Sequence, residues 1–212
     1  AAVFGYKSKD SNPDPGQTAK MTTYTHIDLP VLGAYDGTDL SLANVSVKLT
    51  DTATGAVLQT GATDSTGRFI FTNGLAAGRS YVVEATTPSG LQVVYSYLNG
   101  TAVTAASTVT VANYSNLDST TRFGYRSNQP VSLQGEVKWE VATGTQLPLA
   151  NVPVKLMAGS LTIITKMTDA TGRVAFNEND GLVVSGNYKL VVERAAVVAI
   201  MTNLAPLSNQ MD

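Results

Sequence analysis

The chain has 212 residues, of which 43% are hydrophobic and only 14% are charged, so a disordered acidic tail or a highly charged coil is excluded. Its formal net charge is −2, and its 14 basic residues are scattered among 16 acidic ones, whereas a nucleic-acid-binding surface needs clustered Lys and Arg. The absence of Cys and the presence of one histidine, His26, exclude disulfides and thiolate zinc sites and disfavour histidine-based metal catalysis.

The start of the chain is typical of an exported protein. Ala1-Ala2-Val3 carries neither an initiator Met nor a charged leader, as in a mature form whose signal segment has been removed, although trimming would leave the same start. Abundant Thr, Val, Ser and Gly agree with export, so we predict an extracellular or cell-surface protein. The longest apolar run, around Ala195 to Met201, is far shorter than the roughly 20 residues that span a bilayer, and no membrane span is predicted.

Residues 8–24 have the composition of a linker. Within it, Asp10, Asn12 and Asp14 show the D-x-N-x-D spacing that places three oxygens on one side of a calcium loop. The glycine falls one position late, two prolines stiffen the segment, and no distal Glu completes a bidentate ligand. A Pro-rich turn is therefore the favoured interpretation, with calcium as the alternative and no other metal or cofactor expected.

The rest of the chain is predicted to form β-strands. A first strand is expected around His26 to Leu32, and in LANVSVKL the residues Val45, Val47 and Leu49 alternate with polar ones, which predicts a half-buried strand. No stretch shows a convincing helical period. Further strands are expected around Tyr81, at 92–98, 107–112 and 160–167, and around Tyr188.

Three blocks of sequence occur twice, in the same order and about 107 residues apart, which indicates two copies of one domain. The second block of each copy is a hairpin turn in which Asp bonds the local backbone and Gly supplies a positive φ. Several short strands in units of about 100 residues predict β-sandwiches. The pairs are LANVSVKL from Leu42 with LANVPVKL from Leu149, TDSTGRFIF from Thr63 with TDATGRVAF from Thr168, and AAGRSYVVE ending at Glu84 with VSGNYKLVVE ending at Glu193.

This order of motifs resembles the Cna B-type and SdrD B-type repeats, prealbumin-like sandwiches in the stalks of bacterial surface adhesins and pilins. In the first repeat, the run from Glu84 to Gly90 and the segment Phe123-Gly124-Tyr125 are similar to the family's E-T-x-x-P-x-G and its closing strand. The resemblance implies an all-β fold with two tandem prealbumin-like or Ig-like β-sandwich domains. The expected boundaries are 1–24 for an N-terminal donor strand and linker, 25–127 for the first domain and 128–212 for the second.

Many Cna B-type domains close an isopeptide bond between a first-strand Lys and a last-strand Asn or Asp, assisted by a buried acid. Glu84 and Glu193 lie near the position of that acid. The predicted first strand of repeat 1 has no Lys, however, and Lys138 in repeat 2 has no evident last-strand partner. The resemblance therefore does not extend to a predicted isopeptide bond here.

The two repeats differ at their ends. FGYRS, beginning at Phe123, closes repeat 1, and the near copy FGYKS begins at Phe4, whereas repeat 2 continues from Glu193 to Asp212 without such a segment. An incomplete sandwich exposes unpaired backbone groups that another strand can satisfy. We therefore predict that residues 1–8 insert into repeat 2 of a neighbouring copy. The donor residues would be Val3, Phe4, Gly5, Tyr6 and Lys7.

Two other origins of FGYKS stay open: it could close an upstream domain of a longer stalk, or it could pack on repeat 1 of its own chain. The predicted function is that of a structural subunit of an extracellular, pilus-like filament whose partners are other copies of itself. The alternative is a stalk or ligand-binding module of a cell-surface adhesin. That role predicts a concave aromatic or acidic patch in the loops, of which the sequence offers little beyond Tyr95 and Tyr97.

Other candidate residues favour structural roles. No nucleophile, base and orienting acid occur together, so no enzyme is predicted. His26 is expected to be a surface or edge residue, and Trp139 a core or sheet-face aromatic. Asn44, Asn99 and Asn113 match the N-glycan acceptor pattern and are candidate glycosylation sites.

Overall fold

The computed structural model describes residues 19–29, 33–115, 118–183 and 186–204. These residues form an almost entirely β structure, and the chain divides into two compact units, residues 1–126 and residues 127–212. The all-β sandwich class predicted from the alternating sequence is confirmed.

The first unit consists of two sheets that enclose its core. The first and last strands, β1 and β10, run parallel in the sheet of order β2-β1-β10-β7-β8, in which β5 also pairs with β1, and the second sheet has the order β4-β3-β6-β9. The strands are β1 (Met21–Ile27), β2 (Leu40–Ser41), β3 (Ser46–Asp51), β4 (Val57–Ala62), β5 (Arg68–Phe71), β6 (Tyr81–Ala85), β7 (Leu91–Leu98), β8 (Thr101–Val103), β9 (Thr108–Val111) and β10 (Ser119–Ser127).

The second unit has smaller sheets. Strand order is β15-β14-β17 in one, while β11 pairs with β16 and β12 with β13. Its buried core cluster is formed by Val154, Leu156, Val174, Phe176 and Leu182. The elements are β11 (Ser132–Glu136), β12 (Lys138–Ala142), β13 (Thr145–Pro148), β14 (Pro153–Ala158), β15 (Leu161–Met167), β16 (Arg173–Asn177), a 3-10 helix (Glu178–Asp180), β17 (Tyr188–Val192) and α1 (Arg194–Leu204).

The repeated LANV block has the same conformation in both units. Asn44 and Asn151 have φ values of 61° and 58°, in the left-handed region that Asn tolerates better than most residues. The next backbone N–H in each unit donates to a threonine hydroxyl, Val45 to Thr63 at 3.1 Å and Val152 to Thr168 at 2.9 Å. The motif therefore encodes a turn into β3 or β14.

The repeated T-D-x-T-G-R block is a tight turn held by its aspartate. Asp64 Oδ1 accepts hydrogen bonds from Thr66 N at 2.8 Å, Thr66 Oγ1 at 2.6 Å and Arg68 N at 3.1 Å. These hydrogen bonds, led by that from the Thr66 hydroxyl, lower the pKa of the Asp64 carboxyl. Asp169 makes the equivalent bonds in the second unit.

Gly67 is required in this turn for two reasons. Its φ is +70°, and a Cβ there would lie 2.4 Å from the carbonyl oxygen of Thr25. We expect Gly67→Ala to destabilise the first unit by about 2 kcal/mol. The control is Gly55→Ala, since Gly55 has φ +69° with nothing within 4 Å of its Cβ position. Chemical denaturation followed by circular dichroism measures both, and equal losses would contradict the steric explanation.

Three sequence expectations need correction. The first strand is Met21–Ile27 rather than His26 to Leu32, because the β-branched run of threonines extends it towards the N-terminus, and it ends before Asp28. A helix, α1, follows β17, although no helical period was expected. Its residues from Ala195 to Met201 are all apolar, so no alternation of polar and apolar residues marks the period. Finally, β17 pairs with β14 in the same register as β6 pairs with β3, so Tyr188 is the equivalent of Tyr81. The equivalent of Glu84 in the second unit is therefore Val191 rather than Glu193.

Candidate functional site

The FGYRS segment is a core strand of the first unit. In the parallel pairing of β1 with β10, Thr25 lies opposite Phe123 and Ile27 opposite Tyr125. Both aromatic residues have no exposed surface. The segment therefore closes the sandwich by placing two rings in the core while its backbone completes the hydrogen bonds of β1.

Gly124 lies between these two rings and faces the opposite side of the sheet. A Cβ at this position would lie 2.1 Å from the ring of Tyr95. The Tyr95 hydroxyl donates a hydrogen bond to the Asp39 carboxylate, and burial, together with that bond, raises the pKa of Tyr95. Tyr95 is only 3% exposed, and its hydroxyl is bonded within its own unit.

An ion pair joins the ends of the two strands. Arg126 Nη2 donates to Asp28 Oδ2 at 2.5 Å, and the same oxygen accepts from Gly33 N at 2.8 Å. Asp28 is 0% exposed, and within the described part of the chain neither its Oδ1 nor the Nε of Arg126 has a hydrogen-bond partner. Removing either charge would leave the other buried, so the pair helps to fix β10 on β1.

A second polar cluster covers the outer face of this sheet. The guanidinium of Arg122 lies 4.5 Å from the ring centre of Tyr24 and 4.2 Å from that of Tyr35, and Arg122 Nη1 is 3.3 Å from His26 Nε2. His26 is only 6% exposed, so the expectation of a surface or edge histidine is wrong. Burial, and secondly the charge of Arg122, lower the pKa of His26 to about 4.

The second unit contains the counterpart of β1 in two pieces, β11 and β12. Val137, between them, donates its N–H to Gly172 O at 2.8 Å, as Thr25 donates to Gly67 O at 2.8 Å in the first unit. Leu149 N donates to Val137 O at 3.0 Å, which repeats the bond from Leu42 N to Thr25 O at 2.9 Å. Val137 therefore occupies the position of Thr25.

The same correspondence holds on both sides of this point. Before it, β11 pairs with β16 as β1 pairs with β5, which matches Glu136 to Tyr24. After it, β12 pairs with β13 as β1 pairs with β2, which matches Trp139 to Ile27. Continuing one residue further matches Glu140 to Asp28.

The two first strands differ in how well they are covered. Every residue of β1 except Tyr24 is buried. In the second unit, the residues that point inward from residue 131 to residue 139 are only half-buried, and those between them are exposed. Among the described residues, no strand pairs with β11 on the side that β10 occupies beside β1. The half-buried apolar residues are Val131, Leu133, Val137 and Trp139.

An open cavity of about 330 Å³ lies at the start of β11. In the first unit, the buried ring of Tyr114 fills the corresponding place: it packs edge-on against Tyr81, with ring centres 5.8 Å apart, and donates to Lys20 O at 2.9 Å. The second unit thus has an open cavity where the first has a core side chain. The cavity is lined by Val131, Ser132, Leu133, Leu182, Val183, Gly186 and Tyr188.

A row of charged residues runs along the exposed face of β11 and β12. Glu136 forms ion pairs with Lys138 at 2.5 Å and with Arg173 at 2.7 Å, and these lower the pKa of its carboxyl. Glu140 accepts a weak hydrogen bond from Gly144 N at 3.3 Å. Within the described part of the chain, Glu140 has no ion-pair partner.

Several predicted site residues lie outside the residues that the structure describes. These are the donor residues Val3, Phe4, Gly5, Tyr6 and Lys7 and the calcium candidates Asp10, Asn12 and Asp14. They remain predictions.

The candidate glycosylation residues Asn44, Asn99 and Asn113 are all exposed, with φ values of 61°, 50° and 47°. Asn99 is engaged through its side chain, whose Oδ1 accepts a hydrogen bond from Thr120 N at 2.7 Å. Their modification remains a prediction.

The charged residues that the family resemblance singled out form ordinary ion pairs. Glu84 lies 2.7 Å from Lys48 Nζ, Glu193 pairs with Lys155, and Lys138 pairs with Glu136. Sequence reasoning missed the pairing of Asp28 with Arg126. The available signal was a pair of opposite charges, Asp28 directly after β1 and Arg126 near the end of β10.

No group of three or more His, Asp or Glu residues within the described ranges is arranged to hold a metal ion. The same part of the chain contains no helix long and apolar enough to cross a membrane.

No family model matches the chain, and no curated protein matches it. Solved structures do. The shaft pilin SpaA from Lactobacillus rhamnosus GG is 10% identical over 83% of this chain and 87% of its own, with a TM-score of 0.37. A streptococcal ancillary pilin is 15% identical over 89% of this chain, which spans 60% of that pilin, with a TM-score of 0.39. The Bacillus anthracis TIE protein is 19% identical over 82% of this chain, which spans 28% of that protein, with a TM-score of 0.38. Similarity at this level assigns no function.

Proposed function

We propose that this protein is a structural subunit of an extracellular filament, and that subunits polymerise head to tail when residues 1–8 of one copy add a strand to the second unit of the next. The observation that carries the proposal is the incomplete cover of the strand formed by β11 and β12. Apolar residues there are half-buried, whereas their counterparts in β1 are buried and lie beside the closing strand β10.

Leaving this edge open is costly. Unpaired backbone N–H and C=O groups beside an apolar surface attract a further strand. The described residues of the second unit after β17 form the helix α1 rather than further strands, while the first unit continues after β6 with β7 to β10. A strand from another molecule would supply the missing cover by β-strand addition.

The chain carries a segment suited to this role. FGYKS at Phe4 differs from FGYRS at Phe123 in one residue, and that exchange keeps the positive charge. In the first unit, the two aromatic residues of FGYRS are fully buried in parallel pairing with β1. The proposal assigns the same packing to Phe4 and Tyr6 in a neighbouring subunit.

Donor and acceptor lie in different parts of one chain, so the contact is heterologous. Such a contact repeats without end unless its rotation closes a ring. Strand addition at this site therefore produces a filament rather than a dimer. We place the filament outside the cell, in line with the abundance of Thr, Val, Ser and Gly in the sequence.

Phe4→Asp tests this function, because it would place a charge in the apolar groove of the neighbouring subunit. We expect at least about a 100-fold increase in the protein concentration needed for assembly, or no filaments at all. Phe4→Leu, the matched control, keeps an apolar anchor and should still assemble. Light scattering and negative-stain electron microscopy measure the length distribution.

Two further variants separate the alternatives. Deleting residues 1–8 should abolish assembly and leave a folded monomer, whereas Phe123→Asp should unfold the first unit. A monodisperse monomer for the unaltered chain at all concentrations would overturn the proposal. If that monomer also lost hydrogen-exchange protection in β11 and β12 on deletion of residues 1–8, the segment would close its own chain instead.

A further inference from the structure

Resting on the proposed function, we propose that an ion pair between Lys7 of the donor and Glu140 of the acceptor sets the register in which one subunit engages the next. The pair would repeat, between subunits, the contact of Arg126 with Asp28 inside the first unit. The occupant of the open edge beside β11 and β12 is thus residues 3–7 of a second copy of this chain.

The register follows from the internal repeat. Phe123 lies opposite Thr25, and the matching positions are Phe4 in FGYKS and Val137 in the second unit. Keeping the parallel pairing places Tyr6 opposite Trp139 and Gly5 opposite Lys138. The next pair along the two strands is Lys7 and Glu140.

The charges at this last position are complementary. In the first unit the pair is Arg126 with Asp28, at 2.5 Å, and in the proposed interface it is Lys with Glu, so each sign is kept. Glu136 on the same face already has two cationic partners. The side chain of Glu140 is exposed and has no ion-pair partner among the described residues, so it can bind a cation.

The same charges penalise incorrect registers. A slip by one residue would turn Phe4 and Tyr6 away from the groove, because side chains alternate between the two faces of a strand. A slip by two residues in one direction would bring Lys7 opposite Lys138, where two positive charges repel each other. The ion pair at Glu140 therefore selects one alignment among those that bury the aromatic residues.

The test uses the chain without residues 1–8 as acceptor and a synthetic peptide of residues 1–10 as probe. Trp139 is the chain's one tryptophan, is half-buried, and lies opposite Tyr6 in the proposed register, so its emission should shift to shorter wavelength as the peptide binds. Titration of the peptide gives the dissociation constant. Circular dichroism confirms that each acceptor variant is folded.

We expect Glu140→Lys in the acceptor, and separately Lys7→Glu in the peptide, to weaken binding at least about 10-fold, because like charges would face each other. Combining the two changes should restore the dissociation constant to within about 3-fold of the original, since the pair is then reversed. Lys9→Glu in the peptide and Glu193→Lys in the acceptor change net charge equally, outside the proposed pair, and should have little effect.

The outcomes separate the two proposals. If the unaltered peptide binds and shifts Trp139, but the charge reversals have no effect or do not rescue each other, the ion pair is wrong and strand donation stands. If the unaltered peptide at millimolar concentration leaves Trp139 unchanged, strand donation itself is wrong. Binding without rescue but with a strong loss from Phe4→Asp in the peptide would indicate a different register.

Discussion

Replacing Arg126 with Met is expected to destabilise the first unit by about 3–5 kcal/mol, because it leaves the Asp28 carboxylate buried without its cation. Asp28 is 0% exposed, and the remaining hydrogen bond to its Oδ2 comes from Gly33 N. The methionine side chain fills a similar volume, so the loss reports the charge rather than a cavity.

Arg79→Met is a closely matched control. Arg79 also pairs with a buried carboxylate, Asp51, at 3.2 Å, but Asp51 additionally accepts hydrogen bonds from Ala53 N and Thr54 N. The Arg79 side chain is half-exposed, so we expect the free energy of unfolding to fall by less than about 1 kcal/mol. Urea unfolding, followed by circular dichroism with hydrogen exchange to assign the unit, measures both variants.

The double variant Asp28→Leu with Arg126→Met tests the physical reason. Replacing both charges with apolar groups removes the uncompensated carboxylate and should recover most of the stability lost by the single variant. If the double variant is as unstable as Arg126→Met, the arginine acts through packing of its hydrocarbon stem instead.

The features of the fold that arise from local chemistry could be predicted from the sequence. Alternation in LANVSVKL predicts β3, and Asp64 with Gly67 predicts the turn, because each depends on residues within a few positions of one another. The recurrence of both blocks predicts two related units before any contact is known.

Features that depend on distant residues could not be predicted in this way. Asp28 and Arg126 meet because β1 and β10 are neighbours in the sheet, and strand order is not visible in the alternation of side chains. The burial of His26 has the same origin, since Tyr35 and Arg122, from other parts of the chain, cover it. The helix α1 escaped prediction because its apolar residues show no polar face.

The open edge of the second unit is an intermediate case. The sequence predicts a strand available for pairing, since FGYKS at Phe4 nearly repeats the FGYRS segment that closes the first unit. It does not predict which surface stays uncovered. The half-buried row from Val131 to Trp139 identifies that surface as the strand matching β1.

Lowering the pH from 7 to 4 is expected to destabilise the first unit through His26 by about 3 kcal/mol, of which about 2 kcal/mol is lost by pH 5. The pKa of His26 is about 4 in the folded protein, compared with 6.5 in the unfolded chain. Between pH 4 and pH 6.5, His26 is therefore mostly protonated in the unfolded chain and mostly neutral in the folded protein. The contribution of His26 to the free energy of unfolding is therefore almost fully present above pH 6.5. It falls as the pH drops towards 4 and levels off below pH 4.

The physical reason is that protonation would place a second positive charge beside Arg122 within a buried cluster. Neutral His26 can instead accept a hydrogen bond at Nε2 from Arg122 Nη1, which is 3.3 Å away. The nearby Asp39 acts in the opposite direction, because burial raises its pKa above the usual 3.8 and its protonation favours the folded state. The range from pH 7 to pH 5 is therefore the one that reports His26 most directly.

His26→Gln is the matched variant, since glutamine can accept a hydrogen bond from Arg122 but does not titrate. We expect urea midpoints of the original protein, with hydrogen exchange used to follow β1 and β10, to fall between pH 7 and pH 5 while those of His26→Gln stay nearly constant. Parallel pH curves for the two proteins would mean that His26 is solvated in both states, and that the cluster of Arg122 with Tyr24 and Tyr35 does not exclude its proton.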